Sequence, residues 1–230
     1  MKRKKTILVA CEYSGIVRDA FENAGWDAWS CDIIPTESEQ TKQSGKHLQI
    51  DARKILHPNR YLQKLGIQKK WDMLIAFPPC TYTSFAYTGK ERYSNDRLQR
   101  KLDALQFFLD LWSANIEHIC LENPMGFVHS GLLPATQIIE PFYFGHDYRK
   151  RTCLWLKNLP PLKYNLTDTL FEKRTAKHPT KVYLDNTTLK KRAGRECVLK
   201  PLSSAKKRSK FHTKIAEAMA EQWTEFFDVK

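Results

Sequence analysis

One stretch near the middle of the chain, residues 71–84, restricts the possible folds most strongly. It reads WDMLIAFPPCTYTS, a short and almost continuous apolar run followed by two prolines and a cysteine. Such a run without polar alternation indicates a β-strand covered on both faces, as in the parallel sheet of an α/β protein. Pro78 and Pro79 cannot donate to a sheet ladder, so the strand is predicted to end before them.

Cys80 would then lie at the carboxyl end of a central strand, where open α/β sheets place their ligands and their chemistry. A free cysteine often serves only as a small buried hydrophobic residue. At this position the thiol is also a candidate nucleophile. Both interpretations fit this stretch about equally well.

The start of the chain has a strand–turn–helix pattern. TILVAC at residues 6–11 predicts a strand, and GIVRDAFENAGW predicts a helix with Ser14 as its cap and Gly25 at its end. Free N–H groups at the start of this helix could bind an anionic or carboxylate-bearing cofactor. A second strand, DAWSCDI, ends near Asp32. Its carboxylate suits ribose hydroxyls, although a loop or capping role fits as well.

Two further predictions concern the connecting segments. Residues 34–46 are polar and are predicted to form a loop, after which HLQID gives a short strand that ends at Asp51. From Ser94 the pattern becomes helical, and its apolar stripe is predicted to pack on the core. That stripe consists of Leu98, Leu102, Leu105, Leu109 and Trp112.

A polar pair follows another predicted strand. HICLENPMG contains the strand Ile119 to Leu121, with Glu122 and Asn123 at its end and Pro124 expected to stop the ladder. Carboxyl ends of parallel strands share one edge of a sheet, so Glu122 is expected near Cys80. A solvated loop carboxylate is the alternative for Glu122.

Composition narrows the class of protein. The net charge is +13, which points to a polyanionic partner, most simply nucleic acid. Residues 159–210 hold fourteen Lys and Arg against four Asp and Glu, so this segment carries +10 of that charge. The six cysteines form no CxxC pair, which argues against a zinc site and a disulfide framework. The phosphate backbone is the expected target of the basic segment.

In their order, these motifs resemble the DNA cytosine carbon-5 methyltransferases, especially the small members common in phage and prophage genomes. The resemblance covers residues 6–157 and the last helix. It rests on ACEYSGIVRDAFENAGW, SCDIIP and QIDA on the cofactor side, and on FPPCTYTS, CLENP and FGHDYRKRTCLWL on the substrate side. It implies the Rossmann-like α/β fold of S-adenosylmethionine-dependent methyltransferases, with a mostly parallel sheet and helices on both faces.

The resemblance also implies three groups of site residues. The catalytic group is Cys80, Glu122, Asn123, Arg149 and Arg151. The S-adenosylmethionine-binding group is Cys11, Glu12, Tyr13, Ser14, Gly15, Asp32, Ile33, Asp51, Ala52 and Pro78. The DNA-binding group is Thr81, Ser84, Lys90, Arg92, Lys190, Lys191, Arg192 and Arg195.

The domain organisation follows from the same resemblance. Residues 1–157 are expected to form the catalytic and cofactor-binding domain, completed by helix 211–230, while residues 158–210 form a short basic DNA-recognition region. The last helix is predicted to pack on the α/β core through one apolar face, which carries Phe211, Ile215, Met219, Trp223 and Phe226. The chain departs from the family at Thr81, where glutamine is usual, and at Pro124, where valine is usual. Its first turn also has a single glycine, Gly15.

The implied function is transfer of a methyl group from S-adenosylmethionine to carbon 5 of cytosine in DNA, through a covalent intermediate on Cys80. Two alternatives stay open: a related cytosine-modifying enzyme with another donor, and a vestigial methyltransferase fold that only binds DNA. Methylation of an amino group would need an aromatic residue in place of Cys80. No metal, membrane segment or obligate protein partner is expected, and the location is expected to be the cytoplasm of a bacterium or an infected host cell.

Overall fold

The fold is known from a computed structural model that describes residues 3–57, 60–64, 70–85, 94–146, 148, 150–164 and 211–229. The strands in these ranges are β1 (Thr6–Ala10), β2 (Asp27–Asp32), β3 (His47–Gln49), β4 (Met73–Ala76), β5 (His118–Pro124), β6 (Gln137–Ile139) and β7 (Thr152–Lys157). The α-helices are α1 (Ile16–Asn23), α2 (Glu39–Ser44), α3 (Arg60–Lys64), α4 (Asn95–Trp112) and α5 (Thr213–Val229). Short 3-10 turns lie at Ala52–Lys54 and Pro141–Phe144, and a π-helical turn lies at Val128–Leu132.

The strands form one sheet in the order β3–β2–β1–β4–β5–β7–β6. The pairs from β3 to β5 are parallel, while β7 runs antiparallel to both β5 and β6. The strand order reverses between β1 and β4, which is the point where sheets of this kind open a ligand crevice. The structure thus confirms the predicted Rossmann-like α/β class with a mostly parallel sheet.

Helices cover both faces of the sheet because its central strands are apolar on both sides. Ile7 and Val9 of β1 face the layer formed by α1 and α5. Leu8 and Ala10 face the opposite layer, to which α4 contributes Phe108. The central strands are therefore enclosed, and polar side chains at their ends are held by a rigid scaffold.

Helix α5 returns to the sheet as its apolar stripe predicts. Ile215, Met219 and Trp223 are fully buried against the sheet and α1. The indole N–H of Trp26 donates to the Thr224 hydroxyl at 2.7 Å, and the indole N–H of Trp223 donates to the Pro160 carbonyl at 3.0 Å. These bonds fix the second half of α5 at the sheet edge opposite the carboxyl ends of the parallel strands.

The prediction of a loop over residues 34–46 is wrong, because α2 forms there. The Ser38 hydroxyl accepts a hydrogen bond from the Thr41 N–H at 3.0 Å and so caps the helix. Thr41 is buried and donates to the Asp19 carboxylate at 2.8 Å. Tertiary contacts with α1 therefore stabilise a helix whose sequence is polar almost throughout.

Two other predictions need correction. Leu98 and Leu102 at the start of α4 are 57% and 50% exposed, so the predicted stripe packs on the core only further along the helix. Pro124 does not stop the ladder before it, since β5 includes Pro124 opposite Thr152. A proline can occupy a terminal strand position because its carbonyl group still accepts hydrogen bonds.

Among the described residues, no helix has the length and apolar character needed to cross a membrane. The same part of the chain contains no group of three or more His, Cys, Asp or Glu side chains arranged to hold a metal ion. The division into a domain of residues 1–157 with helix 211–230 and a recognition region at 158–210 stays a prediction. Residues 165–210 lie outside the described ranges.

Candidate active site

The candidate residues meet in one row at the carboxyl edge of the sheet. Cys31, Ala10, Ala76 and Leu121 are register partners across β2, β1, β4 and β5. The next residue along each of these strands is Asp32, Cys11, Phe77 and Glu122. The structure therefore brings the two predicted halves of the site, one for a cofactor and one for a substrate, to neighbouring strand ends.

Cys80 lies in a tight turn directly after β4. Its backbone carbonyl accepts hydrogen bonds from the N–H groups of Thr83 at 3.1 Å and Ser84 at 2.8 Å. The thiol residue is only partly buried, whereas Cys120 and Cys153 are fully buried within the sheet. Cys80 is therefore accessible at the sheet edge, as a nucleophile would need to be.

Asn123 ties this turn to β5. Its buried side-chain amide donates to the Pro78 carbonyl at 2.8 Å and to the Glu122 carbonyl at 2.9 Å. One side chain thus spans the turn that carries Cys80 and the strand that carries Glu122. The position of the thiol relative to the carboxyl group depends on this amide.

A second connection joins the loops that follow these two strands. The Phe127 N–H donates to the Thr83 carbonyl at 2.7 Å, and Ser84 forms an antiparallel bridge with Gly126. A Cβ atom on Gly126 would lie 2.5 Å from the Thr83 carbonyl oxygen. Only glycine permits this close approach, which the sequence alone did not reveal.

Burial raises the pKa of Glu122 to about 7, and the positive charge of Lys150 opposes that rise. The residue is partly exposed, so its carboxyl group can contact a ligand. A carboxyl group with this pKa can hold or release a proton near neutral pH, as acid–base chemistry requires.

Of the two arginines predicted for the catalytic group, the structure describes Arg151 but not Arg149. Arg151 is exposed, and its Nε lies 3.6 Å from Oε1 of Glu140, a carboxylate that is almost completely buried. Arg149 lies outside the described residues. Lys150, which the sequence patterns did not single out, is the cation that acts on Glu122.

The turn after β1 differs from the prediction. The Glu12 carboxylate accepts the N–H groups of Val17 at 2.6 Å and Arg18 at 3.2 Å, while the predicted cap Ser14 accepts only the Ile16 N–H, at 3.4 Å. Glu12 is 3% exposed, and burial raises its pKa to about 7. The N–H groups of Ile16, Val17 and Arg18 therefore already have side-chain acceptors, and binding of a cofactor anion at this helix start stays a prediction.

Gly15 is required at this turn. It has a φ of 75°, in the left-handed region, and a Cβ atom there would lie 2.4 Å from Cβ of Ser38. The segment before α2 thus packs directly on the first turn of α1. Cys11 also has a positive φ, 58°, which explains why β1 ends at Ala10 and not at the predicted Cys11.

The next two strand ends carry the predicted carboxylates. Asp32 is half-buried, burial raises its pKa, and it accepts the Ile34 N–H at 3.2 Å. Asp51 caps the turn Ala52–Lys54 and forms an ion pair with Arg53 at 2.6 Å, which lowers the pKa of its carboxyl group. Ile33 is 73% exposed beside Asp32.

A small pocket lies at the carboxyl ends of β1 and β4. Its lining residues are Cys11, Glu12, Tyr13, Ser14, Phe77 and Phe211. Phe211, just before α5, packs against Phe77 with ring centroids 4.8 Å apart. Sequence patterns predicted Phe211 as a core residue but not as part of a site.

The residues at these strand ends can be matched to the portions of S-adenosylmethionine, the predicted cofactor. The half-buried carboxylate of Asp32 and the exposed side chain of Ile33 suit the ribose and the adenine of a nucleoside. The amino-acid portion of the cofactor would meet the buried carboxyl group of Glu12, which already accepts the N–H groups of Val17 and Arg18. The turn after β1 is therefore suited to an ammonium group more than to a carboxylate.

Most of the predicted DNA-binding residues lie outside the described ranges, namely Lys90, Arg92, Lys190, Lys191, Arg192 and Arg195. Thr81 is exposed and Ser84 is partly exposed, both just after Cys80. Tyr82 is contacted by the guanidinium groups of Arg97 at 5.4 Å and Arg100 at 5.8 Å from its ring centroid. This basic and aromatic cluster beside the turn was not predicted.

No protein-family model and no curated protein sequence matches the chain. Three solved structures are similar to it, each with low identity. A protein described as a candidate DNA modification methyltransferase of an E. coli prophage has 14% identity and a TM-score of 0.46, over 66% of this chain and 46% of that one. The S. pombe Dnmt2 methyltransferase has 18% identity and a TM-score of 0.45, over 69% and 52%.

The third structure is the methyltransferase EhMeth of Entamoeba histolytica. It has 17% identity and a TM-score of 0.42, over 72% of this chain and 56% of that one. The chain thus matches about half the length of each of these three proteins.

Proposed function

We propose that this protein is an S-adenosylmethionine-dependent DNA methyltransferase that modifies carbon 5 of cytosine. The observation that carries the proposal is the Asn123 amide, which donates to the Pro78 carbonyl at 2.8 Å and so couples the Cys80 turn to Glu122. An accessible thiol beside a carboxyl group with a pKa of about 7 is the pair of groups that this reaction needs.

The residue roles follow from the chemistry of cytosine. Carbon 5 is a poor nucleophile until the Cys80 sulfur adds to carbon 6 and converts the ring into an enamine. Glu122 donates a proton or a strong hydrogen bond to ring N3 and makes that addition favourable. S-adenosylmethionine supplies the methyl group that carbon 5 then takes up. Loss of the carbon-5 proton to a base and elimination of the sulfur restore the aromatic ring.

The cofactor lies, in this proposal, along the ends of β1, β2 and β3. Asp32 binds the ribose hydroxyls, and Ile33 packs against the adenine. Glu12 faces the amino group of the methionine portion. Calorimetric titration of S-adenosylmethionine into Asp32→Asn should show about tenfold or greater loss of affinity, since a charged hydrogen bond is lost. Asp103→Asn, on the outer face of α4, is the matched control.

The substrate is proposed to be a single cytosine that leaves the base stack or is already single-stranded. A base within a duplex cannot reach a thiol at a sheet edge. Tyr82, Arg97 and Arg100 offer an aromatic and cationic surface beside the turn. The basic segment 158–210 is proposed to contact the phosphate backbone, in the manner of a recognition region.

A trapping experiment tests the proposal. DNA that carries 5-fluorocytosine cannot lose a proton from carbon 5, so the enzyme should stay covalently attached in the presence of S-adenosylmethionine. The denaturation-resistant adduct should form with the wild-type chain and with Cys153→Ala, but not with Cys80→Ala. Cofactor binding without any adduct or methylated nucleoside would reject the proposed reaction.

One observation favours a second candidate, an enzyme of this fold with another donor or a DNA-binding protein without methyl transfer. The Glu12 carboxylate occupies the N–H groups at the start of α1 that a cofactor carboxylate would otherwise use. Calorimetry with S-adenosylmethionine separates the candidates. Absence of binding would favour the second one, and mass analysis of the product nucleoside would identify any other transferred group.

A further inference from the structure

The strand register decides which basic residue can face Glu122. In the β5–β7 pair, Glu122 lies opposite Leu154 and Pro124 lies opposite Thr152. Because side chains alternate between the faces of a strand, residues 154 and 152 share the face of Glu122. Leu154 packs in the layer of α1 and α5, whereas Cys153 packs in the opposite layer.

The same alternation continues beyond the start of β7. Ile139 pairs with Thr152, so the next pair outward is Glu140 and Arg151. Their side chains meet, with Arg151 Nε 3.6 Å from Glu140 Oε1. This contact is the one that strand alternation predicts when it is carried one residue pair beyond β7. The same alternation assigns Lys150 to the face of Glu122 and Arg151 to the other face.

We propose that Lys150, and not Arg151, is the cation that controls the charge of Glu122 and so positions the proton on that carboxyl group. Lys150 acts through Glu122, and is therefore a positioning residue. The pairing of Lys150 with Glu122 rests on the strand register. Its consequence for catalysis rests on the proposed function.

The electrostatic effects of the two cations agree with this assignment. Lys150 lowers the pKa of Glu122 against the larger effect of burial. Arg151 acts instead on Cys153, where burial and the charge of Glu122 raise the pKa of the thiol to about 11 and Arg151 opposes that rise. The two adjacent cations thus act on residues from opposite faces of the sheet.

The other titratable groups near this pair are the thiols of Cys80, Cys120 and Cys153, the ring of His212, and the Arg151–Glu140 ion pair. Burial raises the pKa of the Cys120 thiol well above its ordinary value. His212 accepts or donates a hydrogen bond with the Tyr148 hydroxyl, and burial, Lys150 and His146 lower its pKa to about 3. Cys80 lies in the neighbouring turn.

The pairing of Lys150 with Glu122 affects the pH dependence of methyl transfer. Protonated Glu122 is the form that donates to a ring nitrogen, so methyl transfer should fall as pH rises through about 7. Without Lys150 the desolvation effect is unopposed, and the fall should occur at a pH higher by about one unit. The conservative change Lys150→Arg keeps the charge and should restore the original profile.

The test follows the Glu122 carboxyl group directly, by carbon-13 NMR titration of the full chain without cofactor or DNA. Glu122→Gln identifies the resonance by its disappearance. Lys150→Met should raise the Glu122 midpoint by about one unit, Lys150→Gln should do the same, and Lys150→Arg should leave it near the wild-type value. Arg151→Met is the matched control and should shift it by less than about 0.3 units.

An unchanged midpoint in both neutral Lys150 variants, or a larger shift in Arg151→Met, would overturn the inference. The pH profile of methyl transfer should move with the midpoint. If the midpoint moves as expected while no variant, including the wild type, transfers a methyl group, the proposed function fails and the Lys150–Glu122 pairing stands. The NMR and kinetic results therefore test the two proposals separately.

Discussion

The side-chain amide of Asn123 donates to the carbonyl group of Pro78 at 2.8 Å, across 45 residues of chain. It is buried and bridges the turn after β4 and the end of β5. The bond ties the turn that carries Cys80 to the strand that carries Glu122. Catalytic geometry of this kind is sensitive to displacements of about 1 Å.

Asn123→Ala should therefore reduce methyl transfer by about 100-fold, while cofactor affinity changes little. The Pro78 carbonyl would lose its donor in a buried place, at a cost of about 1–3 kcal/mol in the free energy of unfolding. Single-turnover kinetics and urea unfolding measure the two effects.

Asn158→Ala is the matched control. Asn158 makes the same kind of bond, to the Glu117 carbonyl at 2.8 Å, at the opposite end of the β5–β7 pair. Its φ of 54° means that alanine would also cost stability there. Equal losses of activity in both variants would show that the Asn123 bond acts only through stability.

Gly126→Ala should displace the loop that follows Cys80. The new Cβ would lie 2.5 Å from the Thr83 carbonyl oxygen, so the bridge between Ser84 and Gly126 would have to separate. We expect a loss of about 1–3 kcal/mol in stability and about tenfold or more in the rate of adduct formation. Asn115→Ala, at an exposed position before the start of β5, should leave both quantities almost unchanged. A wild-type rate in Gly126→Ala would show that the loop contact is not needed.

The stability of the protein should fall as pH rises, in part because of Glu12. The pKa of this buried group is about 7 when folded, against an ordinary value of 4.5. The folded state therefore holds a proton that the unfolded state has lost, and the stabilisation present below pH 4.5 disappears as pH rises through about 7. For this difference in pKa between the folded and unfolded states, the loss in the free energy of unfolding is at most about 3 kcal/mol.

Glu12→Gln should flatten this dependence, because the side chain then stays neutral at every pH. Urea unfolding at a pH near 5 and a pH near 8 compares the two proteins. Glu39→Gln, an exposed position at the start of α2, is the control and should follow the wild type. A parallel pH dependence for Glu12→Gln and wild type would mean that Glu12 titrates normally.

Trp223→Ala should detach α5 from the sheet. The indole is fully buried and its N–H donates to the Pro160 carbonyl at 3.0 Å. A loss of about 3–5 kcal/mol in the free energy of unfolding is expected from the cavity and the lost contacts. Val229→Ala, in the same helix but 85% exposed, should change stability by less than about 0.5 kcal/mol. Similar thermal unfolding of both variants would show that α5 adds little to the core.

Much of the site could be predicted because strand ends are visible in a sequence. The ends of two apolar runs, at Phe77 and Leu121, predicted that Cys80 and Glu122 follow neighbouring strands at one edge of the sheet. The stripe of α5 gave its packing on the sheet. Local patterns failed for α2, whose helix depends on contacts of Thr41 with α1, and for Leu98 and Leu102, which have apolar spacing but remain exposed.

The sequence by itself determined the α/β class, the order of its strands along the chain, and the residue types at the strand ends, because periodicity and prolines act locally. Only the tertiary structure decided which residues act together. The bond from Asn123 to Pro78 and the shared sheet edge of Cys80 and Glu122 depend on distance and on strand register between segments far apart in the chain. Register is set by side-chain packing across the whole sheet, and no local pattern contains it.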